Sequence, residues 1–370
     1  MSRNRKQKVQ KIAYFFQHSE NDIDKCLSIV AKQRGETKAQ TLKKLFDSIQ
    51  VKSALRPEYL SGVSHFSMLK GTVGGEQRKI LLLYDFHHRK GECPKSLNFT
   101  PVSELIFALL KSDIFIDCFL ERSALEKSFI EKALPESLRI SEKSLQRLKS
   151  KALKGTEMAV VINTLEDCFV PSHRSRCSYP NNRVHFTNIR LFSLMIDYYL
   201  SGDEERFHRV IESMTGKKRL SIEDYKKLML QIALKSKMIR KQWEKGPFKD
   251  DWVSHIKLYL DIFVEEDLLI KIYLISSEPE EWEERAVMAF FTPLMDMYLL
   301  GRLFKRYDDK KHPFANNSII YVGAAHAIVY HKYLTQTLGF SEVENDISKK
   351  NAQCIYTGNM QYGFDTFFRD

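Results

Sequence analysis

Three apolar runs, each closing on a titratable side chain, constrain this chain more than any other feature. Ile80–Phe86 leads into His87, Ile114–Leu120 into Glu121, and Ile319–Ala325 into His326. Runs of this length and composition predict strands buried on both faces, as in a parallel sheet. Ligands of open α/β sheets gather outside the carboxyl ends of the strands. If the three strands lie side by side, His87, Glu121 and His326 meet at one sheet edge. A His/Glu/His set suits either one divalent metal ion or metal-free acid–base chemistry. A lone histidine at such a position is more often structural, bonded to a loop carbonyl. Two at matching positions, with a glutamate on a third strand, argue for a site. A buried Glu121 needs a cation, a metal or a histidine beside it. Arg122 is its nearest purely structural partner.

The segments between these runs predict an α/β fold: a central, mostly parallel sheet with flanking helices and a large helical insertion. Gly74-Gly75 turns a strand over Val63–Leu69 into the first histidine strand. A helix from about Pro101, capped by Thr100, carries Leu105, Ile106, Leu109 and Leu110 on one face. A right-handed crossover through that helix makes the His87 and Glu121 strands parallel. The expected organisation is a basic helical extension at 1–50, an α/β domain at 51–345 with the insertion at about 190–307, and a tail at 346–370. In the insertion, Leu258, Ile262, Leu268, Leu269 and Tyr273 have helical spacing, as do Phe291, Leu294, Met295, Tyr298 and Leu299; both stripes read as core. Asp296 and Arg302, six residues apart, are not helical neighbours; each could turn toward the site from a different level, with salt bridging at the core edge the stronger expectation. A second amphipathic helix over about Ala327–Leu338 closes at Gly339. Residues from Ser123 to Lys154 read as charged helix or insertion.

Composition excludes several classes. No apolar run reaches the ~20 residues of a membrane span. The basic start, Met1-Ser2-Arg3-Asn4-Arg5, is followed by no signal-peptide core, so a cytosolic or nuclear location, or packaging from the cytosol into a particle, is expected rather than secretion. The six cysteines form no CxxC pair, and reduced, packed thiols are expected. A net charge of +11 leaves a nucleic-acid or acidic protein partner open without a concentrated basic tract. A segment Arg183–Arg190 holds Arg183 and His185 on one strand face; Arg183 could bind an oxyanion or sit in a surface salt bridge. Phosphate-loop, nucleophile-elbow and HExxH patterns are absent.

The ordered set resembles the TraB/Tiki and erythromycin-esterase-like superfamily, which carries two strand-then-G-x-x-H units, a strand-end glutamate and an intervening arginine. Gly323-Ala324-Ala325-His326 matches the second unit in full. The first unit, Tyr84-Asp85-Phe86-His87, has Tyr84 where the family has glycine. The chain is also similar to uncharacterised proteins of large DNA viruses, in which a cysteine–proline (Cys93-Pro94) follows the first histidine and an R-x-H-x-x-D-x-R segment comes later, here with Asn188 in the aspartate position. The resemblance covers about residues 75–340. It implies a hydrolase of protease or esterase type with His87, Glu121, Arg183 and His326 in its site, and one divalent metal ion on His87, Glu121 and His326 in the Tiki-like branch. The other expectation is a catalytically degenerate virion or scaffold protein that binds nucleic acid or an acidic partner. A metal-dependent phosphodiesterase ranks third, for want of clustered aspartates.

Overall fold

A computed structural model of the chain describes residues 20–85, 93, 99–123, 156–169, 175–189, 220–266, 291–347 and 353–369. Helices α1 (Glu20–Arg34) and α2 (Lys38–Leu55) come first, then β1 (Tyr59–Ser61) and the hairpin of β2 (His65–Val73) and β3 (Glu76–Asp85). Next are β4 (Phe99–Pro101), α3 (Val102–Leu110), β5 (Asp117–Ser123), α4 (Glu157–Phe169) and β6 (Arg183–Asn188). The helical region contributes α5 (Ile222–Lys235), α6 (Lys237–Trp243), α7 (Trp252–Glu266) and α8 (Thr292–Phe304). Strand β7 (Asn317–Gly323) passes directly into α9 (Ala324–Lys332), which continues as a π turn over Tyr333–Thr337. Strands β8 (Ser341–Ile347) and β9 (Cys354–Tyr356) and helix α10 (Phe364–Arg369) complete the described chain.

The main sheet has six strands in the order β6-β5-β7-β3-β2-β8. Strands β6, β5, β7 and β3 are mutually parallel, and β2 is antiparallel to both of its neighbours. The three apolar runs therefore lie side by side, as β5, β7 and β3. Gly74 and Gly75, at φ 61° and 81°, make the hairpin turn, a backbone that only glycine adopts without strain. A smaller sheet, β4-β1-β9, flanks the main one.

Alternation along the strands feeds two cores. Ile80, Leu82 and Tyr84 of β3, Phe119 of β5 and Ile320 and Val322 of β7 face the helices of the insertion and α9. Leu81 and Leu83, Cys118 and Leu120, and Ile319 and Tyr321 face α2, α3, α4 and α10. Each such side chain contributes about 1.5–3 kcal/mol relative to exposure, which explains why Ile80–Leu83 carries no polar residue.

Several boundaries differ from expectation. Helix α3 starts at Val102, with Pro101 as an N-cap that lends no side-chain bond. Thr100 is instead paired with Leu60 in the small sheet. The buried face of α7 is Ile256, Tyr259, Leu260 and Phe263, whereas Leu258 is 45% exposed. Leu268, Leu269, Tyr273, the charged 124–154 segment and the side chain of Arg122 lie outside the described residues. The C-terminal segment is no loose tail. Ile355 of β9 pairs with Leu60 of β1, and Phe364, Phe367 and Phe368 of α10 are buried in the second core.

The cysteines depart most from expectation. Cys93 bonds to Cys354 across 261 residues, and Cys168 to Cys177 across nine; only Cys26 and Cys118 are free. Spacing gave no sign of the first bond, because β1 and β9 set it through the small sheet. Unreduced, denatured protein is therefore expected to titrate two thiols. Reduction should lower stability by about 2–4 kcal/mol, mostly through the long loop. Six titratable thiols in freshly purified, unreduced protein would contradict both bonds.

Candidate functional site

Asp117 opens β5 and Glu121 lies two residues before its end, and by strand alternation both point to the same face as Phe119 between them. They organise two separate polar clusters, one at each end of the parallel strands.

At the carboxyl end, β7 stops at Gly323, which becomes the N-cap of α9, so His326 lies in the first helical turn and not on the strand. Glu121 Oε2 accepts the Gly323 N–H at 2.8 Å. Its negative charge is thus favourably placed at a helix N-terminus. Glu121 Oε1 lies 3.4 Å from His326 Nε2, and His326 Nδ1 lies 2.6 Å from Asp296 Oδ1. Asp296, on α8, is fully buried and also accepts the hydroxyls of Tyr330 and Tyr259. The imidazole is thus clasped between two carboxylates. Burial alone would lower the His326 pKa, but Asp296 and Glu121 together outweigh it and raise the value to about 9. His326 is accordingly an imidazolium at neutral pH, donating through both nitrogens.

At the amino end, Asp117 is fully buried. Arg183 grips it with both prongs, Nε to Oδ1 at 2.7 Å and Nη2 to Oδ2 at 2.9 Å, and donates Nη1 to the His312 carbonyl at 2.7 Å. His185 Nδ1 accepts from Arg302 Nε at 2.9 Å, so its proton is on Nε2, 2.8 Å from Asp117 Oδ1. Burial, reinforced by Arg302, pulls the His185 pKa down to about 4 and keeps the ring neutral. Burial would raise the Asp117 pKa, but hydrogen bonds from His185 and Arg183 hold it below the usual carboxylate range.

The structure thus brings Glu121 and His326 together and takes Arg183 away from them. Arg183 pairs with Asp117 in the parallel register. Glu121 is four residues further on, roughly 13 Å along the strand. Arg183 cannot reach an anion held at Glu121 and His326; it is a structural ion pair. His87, two residues beyond the end of β3, lies outside the described residues. Among the described residues, Asp296, Tyr259 and Tyr330 complete the cluster. A lone acid in the otherwise apolar start of α8 is the sequence signal for Asp296 as a group that could turn toward the site, and the core-edge salt bridge expected of it is not what forms. Tyr330, one helical turn after His326, was another.

Tyr84 does not crowd this cluster. Its ring lies 4.3 Å from that of His65, and its hydroxyl is 3.4 Å from Ser67 Oγ, on the side of β3 away from β7. There it lines a cavity of about 290 Å³ with Ser64, His65, Ala324, Ile328 and His331. Asn188 ends β6 opposite Ser123, at the same sheet edge as Glu121.

Among the described residues, no three His, Cys, Asp or Glu side chains converge as a metal centre. The pair Glu121 and His326 still has a fitting geometry. Two ligands at about 2.0–2.2 Å from a tetrahedral ion stand roughly 3.4 Å apart, the separation seen between Oε1 and Nε2. A buried carboxylate on the other ring nitrogen is also the usual support of a metal-bound histidine. No helix among the described residues is long and apolar enough to cross a membrane. No family model matches the chain, and no curated protein or solved structure matches it.

Proposed function

We propose that the chain is a hydrolase of esterase or protease type whose site lies at the carboxyl ends of β5 and β7. The observation that supports it is the buried chain Glu121–His326–Asp296. Asp296 fixes the ring through Nδ1 and stabilises its charge. That leaves Nε2, the nitrogen facing Glu121, as the atom that gives up a proton. Glu121 is the base that takes a proton from water, and His326 is the acid that returns one to the leaving group. One divalent metal ion on Glu121 and His326, with His87 as third ligand, is a second reading, favoured by the ligand separation. Bound there, such an ion would supply Lewis-acid activation of water or a carbonyl. The +11 charge favours the competing reading of a degenerate virion or scaffold protein with an acidic partner. The two disulfides fit an oxidising compartment or an assembled particle better than a reducing host cytoplasm.

The test is a panel of ester and peptide substrates, run with and without added divalent ions. Glu121→Gln and His326→Gln should each lower the rate by about 10²–10⁴-fold while the protein still unfolds cooperatively. Loss of activity in chelator selects the metal reading, and retention selects acid–base catalysis. Full activity in both Gln variants would reject the site.

A further inference from the structure

Between α9 and the β2–β8 side of the main sheet the packing is incomplete. In the strand register Tyr84, His65 and Ile347 form one row across β3, β2 and β8. By alternation their side chains share the face on which α9 packs. Ala324, Ile328 and His331 stand on one side of α9, at positions one and two turns apart. Ser64 and Ala324 are too small to fill the gap, and the cavity of about 290 Å³ remains. Two isoleucines on its lining are unusually open, Ile328 at 43% and Ile347 at 62% exposure.

The charged groups of the lining are already paired. Lys332 is held by Glu266. Glu342 accepts from His331 Nε2 at 3.0 Å and from Asn345 Nδ2 at 2.6 Å. Burial would raise the Glu342 pKa, but hydrogen bonds from Ser67 and Asn345 hold it below the usual carboxylate range. An ionised carboxylate only accepts, so it takes the single Ser67 hydroxyl proton. Ser67 Oγ is then the acceptor for His65 Nε2, 3.1 Å away. The ring proton of His65 is therefore on Nε2, and Nδ1 carries a lone pair. Burial lowers the His65 pKa and keeps the ring neutral. Nδ1 has no hydrogen-bond partner among the described residues. The lining thus offers apolar surface and one open acceptor, with no unpaired charge.

We propose that this cavity binds an uncharged, planar, bicyclic aromatic molecule with one N–H or O–H donor, of which indole is the simplest. An apolar cavity of about 150 Å³ holds one benzene ring, so this space fits about two fused rings. The rings of Tyr84 and His65, 4.3 Å apart and tilted by 32°, give it aromatic contact from the sheet. Ile328 and Ile347 flank it on the helix and β8 sides, and its donor meets His65 Nδ1. A charged ligand would leave water without a counter-ion to receive it. The binding does not depend on the reaction assigned to Glu121 and His326, and neither reading falls with the other.

Indole and 1-methylindole are titrated against the full chain by ligand-observed NMR. Indole should bind with a Kd on the order of 1 mM or below. 1-Methylindole lacks the donor and should bind about 2- to 10-fold more weakly. His65→Phe keeps a ring and removes the acceptor, so it should lower indole to the affinity of 1-methylindole and leave the latter unchanged. Ile328→Trp, at an exposed helix position, fills the cavity and should abolish binding of both. Should His65→Phe fail to fold, Ile328→Trp and the comparison of the two ligands still decide. Absence of saturable indole binding overturns the proposal, as does binding that survives in Ile328→Trp. Equal affinities of the parent for indole and 1-methylindole also overturn it.

Discussion

Asp117→Ala should destabilise the fold by about 3–5 kcal/mol, the cost of breaking a buried ion pair from one side. Asp117 accepts both prongs of Arg183 and the Nε2–H of His185. Deleting the carboxylate leaves a guanidinium held over Tyr307 and Phe115 that bonds the carbonyls of His312 and Phe314 and has the exposed Asp309 carboxylate at 3.8 Å as its remaining ion-pair partner. It also removes the acceptor that fixes the His185 tautomer, while Arg302 still presses a donor on Nδ1. Asp117→Asn should lie between parent and alanine variant, because an amide can accept one of those bonds without the charge. Chemical denaturation with linear extrapolation measures the difference. A loss below about 1 kcal/mol in Asp117→Ala would mean that the cluster is surface-like and that Arg183 is free for other work.

Much of this frame was legible in the residues themselves. A strand buried on both faces must be apolar throughout, so β3, β5 and β7 announce themselves as uninterrupted runs, and their shared sheet follows from right-handed crossovers. The turn at Gly74-Gly75 is equally local. What sequence could not supply is set by packing between distant elements. Asp296 reaches His326 because α8 lies against α9, and nothing in the spacing of the two residues encodes that. Arg183 misled because its residue type fits an oxyanion role, while the parallel register of β5 and β6 places it against Asp117. His326 looked like a strand-end group, but Gly323 starts a helix and carries it round into the first turn. The pairing of Cys93 with Cys354 depends on a small sheet built from three short strands whose apolar content is too slight to detect.

Asp296→Ala should cost a further 3–5 kcal/mol, roughly, for a related reason at the other end of the sheet. It strips the acceptor from Tyr259, Tyr330 and His326 at once, all of them buried. The pH dependence separates this cluster from that of Asp117. The folded-state pKa of His326 is raised from an ordinary 6.5 to about 9. Its stabilising contribution is therefore complete below about pH 6.5 and is lost as pH rises through about 9. The interval corresponds to about 3 kcal/mol. His185 acts in the opposite sense, since its pKa is lowered to about 4. The unfolded chain takes up that proton first, so stability falls as pH drops below about 6.5 toward 4. Asp296→Asn should flatten the alkaline limb and leave the acid limb unchanged. Equal flattening of both limbs would show that the two clusters are not independent.

The account rests on His326 being held as a charged imidazolium between Asp296 and Glu121. An NMR titration of the His326 ring in chelator-treated protein reads this directly, with Asp296→Asn as the paired sample. The expected result is a midpoint near pH 9 in the parent and a fall of more than one unit in the variant. A parent ring that titrates at or below the ordinary 6.5, unmoved by the substitution, would contradict the account.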